Sequence, residues 1–191
     1  MAAGAQAAPA GADRDSGVPT SVVDGYVSAR WRLAKGGKDS ATHDIWSVHE
    51  PRTGRALVSV RCHKPEIEPG TYPQAVRAPP GGHLVAGNLA FDLTLGKGRC
   101  HEREDGTTSL TLTAVTDAGV AYGTTGAVAG TGTPLTLDLA AAEPEPLPAH
   151  VRVREAEVPD VGLFTWTDSQ DQRHLLGARG ARIPAATAGR W

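Results

Sequence analysis

The apolar residues of this chain recur with a period of two. From Tyr26 onward, Val27, Ala29, Trp31 and Leu33 fall on one face of an extended chain, with Ser28, Arg30 and Arg32 on the other. The pattern returns in "HDIWSVHE" (43–50), and in Ala56, Val58, Val60 and Cys62. It recurs in Leu89, Phe91, Leu93 and Leu95, in Leu110, Leu112 and Ala114, and in Leu135, Leu137 and Leu139. Val151 and Val153 alternate with Arg152 and Arg154, and "GLFTWTD" and "RHLLGARGARI" add two short segments of the same kind. Helices need apolar residues three and four apart, and only 171–178 admits that spacing. The chain therefore reads as roughly nine to eleven strands.

The breaks between strands carry turn chemistry. "PRTG" (51–54) sets proline early and glycine late, so 43–50 and 55–62 form a hairpin. Asp105-Gly106 and "TDAG" (116–119) mark two further turns. Residues 64–82 contain five prolines and form the one long loop, a kind of segment that often carries function. "AAAEPEPLPA" (140–149) reads as an acidic, proline-broken connector, and the apolar phase shifts afterwards as if at a bulge near Glu155.

A chain of 191 residues suits one domain. We assign 1–19 as a disordered Ala/Pro/Gly leader, 20–184 as a single β domain and 185–191 as a tail. Unpaired strand edges are a liability, so such a meander either closes into an antiparallel barrel or folds as a two-sheet sandwich, with the barrel preferred.

Several functions are disfavoured. The net charge of −2 and scattered Lys and Arg give no cationic field for nucleic acid. No run approaches the ~20 apolar residues that span a bilayer, so no membrane partner is expected. The leader lacks the basic start and apolar middle of a signal peptide but resembles the new N-terminus left by cleavage after small residues. The chain is thus either cytoplasmic or a mature exported domain. Gly123, Gly126, Gly130 and Gly132 precede no Lys-Ser or Lys-Thr pair, so they mark bends or close backbone approaches rather than a phosphate loop. No Ser-His-Asp order or paired catalytic carboxylates fall at telling spacings, and no cofactor is implied.

"RCH" occurs twice, at Arg61-Cys62-His63 and Arg99-Cys100-His101, and these are the two cysteines. Two Cys and two His are a zinc ligand set, but neighbours on a strand point to opposite faces. The parity that sends Cys62 inward sends His63 outward, and no CxxC is present, so no metal is expected there. A Cys62–Cys100 disulfide is preferred if the protein is exported, and two reduced, buried thiols if it is not. His63 and His101 then read as surface residues. His43 and His49 sit about 20 Å apart along one strand, too far to share an ion.

Trp31, Trp46, Phe91 and Tyr122 are the bulky residues on expected strands, able to line a pocket or fill a core. Glu50, at a strand end beside His49, is a candidate acid or base, or plain exposed charge. Two functions suit such a chain. In the first, a small apolar molecule binds inside the sheet. In the second, an exported β-sandwich presents 64–82 and 140–149 to a partner without catalysis.

"GTTGAVAGTGT" (123–133) resembles the glycine-rich strand of the small barrels related to allene oxide cyclase and dirigent proteins, a calycin-like group that includes bacterial spirotetronate-type cyclases. "DIWSVHEPRTGRALVSVRCH" (44–63) is similar to a strand, turn and strand ending in Cys found in some bacterial members. The resemblance covers about residues 20–140. It implies a calycin-like barrel whose cavity folds a flexible polyene or fatty epoxide, a cyclase or isomerase acting by confinement. It carries over no catalytic residue.

Overall fold

The computed structural model describes residues 8–50, 52–65, 72–77, 81–127, 131–141, 143–148, 151–153, 162–167 and 173–178. Among them there is no helix, and fifteen strands form four antiparallel sheets. Each sheet is a meander of chain neighbours. The first holds β1 (Val18–Val23), β2 (Tyr26–Arg32), β3 (His43–His49) and β4 (Ala56–His63). The second holds β5 (Val76–Arg77), β6 (His83–Ala86), β7 (Leu89–Asp92) and β8 (Lys97–Cys100). The third holds β9 (Leu110–Val115), β10 (Val120–Thr125), β11 (Pro134–Asp138) and β12 (Pro144–Pro146). The last is β13 (Val151–Val153), β14 (Gly162–Thr167) and β15 (Arg173–Ala178).

The all-β class expected from the sequence is what the chain adopts, and none of the four sheets closes on itself. The second sheet is apolar on both faces. Leu84, Ala86, Leu89 and Phe91 pack against Trp46, Val48, Val58 and Cys62 of the first sheet. Their chain neighbours Val85 and Ala90 point the other way, onto Leu110, Leu112, Leu135 and Leu137 of the third. Successive residues on a strand face opposite sides, so a strand buried on both must be apolar at consecutive positions, as "LVA" and "LAF" are.

The other face of the first sheet explains why part of the expected leader is ordered. Ala29, Trp31, Leu33 and Ile45 lie on that face, and Ala8 and Ala12 cover them. Asp13 N–H donates to Arg32 O at 2.9 Å and Ala34 N–H to Gly11 O at 2.9 Å. Gly17 passes directly over the indole, where a Cβ would come within 2.5 Å of the Trp31 ring. Residues 8–19 are therefore not a disordered leader: they cover an apolar face, and β1 already begins at Val18. Residues 1–7 and the expected tail at 185–191 lie outside the described residues, as does the bulge expected near Glu155.

Three local expectations change. The alternation from Leu89 to Leu95 does not run as one strand: the Asp92 carboxylate accepts from Thr94 N–H (2.9 Å) and Leu95 N–H (2.8 Å) and folds 93–96 into a turn, leaving Leu95 exposed. The long loop contains β5, and the connector contains β12, whose prolines are tolerated because it is an edge. Residues 173–178, where a helical spacing was possible, are a strand. The "PRTG" hairpin forms as expected, with Gly54 at φ 69° donating to Glu50 O at 2.8 Å.

Candidate functional site

Cys62 and Cys100 form a disulfide between β4 and β8, with Cα atoms 5.9 Å apart. Gly98 permits the approach of these strands: a Cβ there would lie 3.0 Å from Val60 Cβ. Beside the disulfide opens a cleft of about 560 Å³. Trp46, Ala86 and Leu89 supply apolar surface, and His63, Glu102 and Thr108 supply polar groups. Pro65 and Pro73 from the proline-rich segment also border it. Between them in sequence, Tyr72 sets its ring edge-on to Trp46 at 5.5 Å between centroids and accepts a hydrogen bond from Arg30. Arg30 in turn pairs with the fully buried Asp44, its Nε donating to Oδ2 at 2.6 Å. Burial works against that guanidinium's charge, but the bonds to Asp44 and Tyr72 outweigh it and its pKa is raised.

One polar cluster stands at the rim of the cleft. Glu102 accepts from His63 twice, from the ring Nδ1 at 2.9 Å and from the backbone N–H at 3.1 Å. Its Oε2 also lies 3.4 Å from Cys100 Sγ. Because β3 pairs with β4 in the register His43↔His63, the two imidazoles meet with centroids 3.9 Å apart and planes tilted by 38°. Gly106, at φ 84° in the turn after β8, packs against His63, where a Cβ would lie 2.7 Å from the ring. His63 is thus a half-buried, clasped side chain rather than a surface residue. His101 also departs from a surface role: its Nε2 is buried without a hydrogen-bond partner, and burial, with Arg99 nearby, lowers its pKa.

The four aromatic candidates are not brought together. Trp46 and Phe91 belong to the core between the first two sheets, Trp31 to the layer under residues 8–12, and Tyr122 to a cluster with Val153. Only Trp46 among them reaches the cleft. Burial raises the pKa of the Tyr122 phenol. Glu50 lies away from the cleft and accepts from Thr53 Oγ1 at 2.8 Å within the hairpin turn.

A serine and a histidine do meet elsewhere. Ser47 Oγ lies 2.6 Å from His49 Nε2, while His49 Nδ1 donates to Gly54 O at 3.1 Å and Trp31 Nε1 donates to Ser47 Oγ at 2.8 Å. This is not a nucleophile at work, since Ser47 and His49 are 1% and 0% exposed and no substrate reaches them.

Sequence reasoning weighed His43 only with His49 and passed over Glu102. Hairpin arithmetic alone misses the pairing: a turn at 51–54 sets 43 opposite 62, and the bulge between Val48 and His49 moves it to 63. Glu102 comes directly after the second "RCH", but its meeting with His63 depends on how β8 lies on β4, which no local pattern encodes. No protein-family model matches the chain, and no curated protein matches it either.

Proposed function

We propose that the protein is an exported all-β binding module that takes a small, partly apolar molecule in the cleft beside the disulfide. The observation that carries this reading is the cleft itself: its volume of about 560 Å³ falls in the range of small-molecule sites, and its wall joins Trp46 and Leu89 to a few polar groups. Export is supported by the Cys62–Cys100 disulfide, which persists in oxidising compartments. The ligand is placed at the cleft rather than inside a calycin-like barrel because Leu84, Phe91, Leu112 and Leu137 fill the spaces between sheets. Cyclase or isomerase chemistry, implied by the resemblance alone, is not part of the proposal. The reading is closer to a stacked sandwich that holds its ligand by shape than to a catalyst.

The test is thermal denaturation against a panel of small amphipathic molecules. A molecule that binds only the folded protein raises the melting temperature, and the rise grows with the logarithm of its concentration once the site is filled. Ala127 is exposed and borders the cleft, so Ala127→Trp should fill it without touching the core. Ligands that stabilise the native chain should fail to stabilise this variant. Stabilisation that survives Ala127→Trp, or no stabilising molecule in the panel, would sink the reading.

A further inference from the structure

We propose that His43, His63 and Glu102 bind one divalent cation of the zinc class at the rim of the cleft, with one coordination position left open towards it. One ligand atom from each residue lies within 4.8 Å of the others. A tetrahedral zinc ion with bonds of about 2.0–2.1 Å holds its ligands about 3.4 Å apart, so the set needs only side-chain adjustment to close on an ion. Two imidazoles and a carboxylate favour zinc, copper or nickel over the hard cations, which prefer oxygen alone.

The surrounding contacts are those a metal site uses to hold its ligands. Thr42 Oγ1 lies 2.8 Å from His43 Nδ1 and is placed to donate its own proton to Asp39 O at 3.3 Å. In that arrangement His43 Nδ1 carries the hydrogen and the lone pair sits on Nε2, where a metal takes it. The His63 backbone N–H orients the Glu102 carboxylate. Gly106 packs against the His63 ring, and any side chain at that position would displace it. His63 and Glu102 both line the cleft, so a ligand in the cleft can reach a fourth position on the ion. Three protein ligands with an open place is the arrangement of reactive zinc sites, whereas structural ones are closed by four.

This set differs from the Cys–His set weighed from the sequence. The cysteines are tied to each other, and the metal is held by the two histidines that strand pairing brings face to face, with Glu102 in place of sulfur. When zinc enters, the hydrogen that His63 Nδ1 shares with Glu102 is exchanged through solvent to Nε2, so the ring stays neutral with a free lone pair on Nδ1, and both groups turn to the ion. The site stands whether or not an organic ligand occupies the cleft.

The experiment is zinc titration of the full, tag-free chain under non-reducing conditions, against a chromophoric chelator, with cobalt as a spectroscopic substitute. One zinc per chain is expected, and an intense visible cobalt band of tetrahedral type. His43→Gln leaves the His63–Glu102 pair intact and so tests the site without disturbing the fold. That variant, His63→Gln and Glu102→Gln should each weaken zinc at least about tenfold and abolish the cobalt band. His83→Gln, whose side chain meets Asp92 elsewhere, should leave both unchanged. Ala127→Trp should retain zinc while losing cleft ligands, which separates failure of this site from failure of the cleft reading. Zinc bound equally well by native chain and His43→Gln, or no zinc retained against the chelator, would overturn the proposal.

Discussion

His49 is a titratable group in a place water does not reach. Its Nδ1–H is committed to Gly54 O and its Nε2 accepts from Ser47, so the neutral ring satisfies both partners. Protonation would add a charge without a counter-ion, and burial lowers its pKa below the ordinary 6.5, only partly offset by the bond to Gly54. With the folded pKa depressed, the unfolded chain takes up the proton first as pH falls. Stability from this group is complete above pH 6.5 and declines between there and the lower folded value. His101, shifted in the same direction, adds to the decline. Melting temperature measured from pH 7.5 downward should therefore drop through this window. His49→Gln, which keeps a polar end but does not titrate, should show a lower starting value and a shallower drop. An unchanged slope in the variant would mean that the titration lies elsewhere. None of this was legible in the sequence, where His49 was weighed only by its distance from His43. The "PRTG" turn was visible, but that its glycine carbonyl folds back onto the ring was not.

For single elements, how a strand reads depends on what covers it. β6 and β7 are buried on both faces, and Val85 is wholly inaccessible between the second and third sheets. β1 is the outer strand of the first sheet, and Val22 on it is 72% exposed. The same substitution should separate the two. Val85→Thr keeps the shape but buries a hydroxyl, at a cost of about 1–3 kcal/mol if it finds no partner. Val22→Thr should change stability by less than about 0.5 kcal/mol. Urea denaturation measures both, and similar losses at the two sites would contradict the layered burial. Strand existence was legible from alternation for β2, β3, β4, β9 and β11, and the β3–β4 pairing from its turn, though the bulge between Val48 and His49 shifts its register by one. Where alternation misled, a single side chain decided: Asp92 captures two backbone N–H groups and turns the chain before Leu95 can extend β7. β1 was missed because its six residues, "VPTSVV", have a bulge after Pro19 that breaks the period.

Across the whole molecule, which sheets stack on which was the hardest thing to read. Alternation says that a strand has an apolar face and is silent on what meets it, so closure into a barrel and stacking of separate meanders look alike along the chain. The clue to a sheet buried on both faces was the consecutive apolar run through 84–91, interrupted by Gly87 and Asn88. The cysteine pairing was legible because both cysteines occur in similar short motifs and only one pairing exists. Its mechanical consequence appears only in the fold, since the bond ties β4 of the first sheet to β8 of the second across a separation of 38 residues that includes the proline-rich segment. Closing a loop of that length removes conformational freedom from the unfolded chain worth about 4 kcal/mol in the chain-entropy account. The double variant Cys62→Ser/Cys100→Ser, which leaves no stray thiol, should lose stability of that order in urea. It should also show a steeper denaturant dependence, because the unfolded chain then expands further and exposes more surface. A loss below about 1 kcal/mol with an unchanged slope would mean that the unfolded chain already keeps these strands together, and that the core around Trp46, Leu89 and Phe91 holds the two sheets without the crosslink.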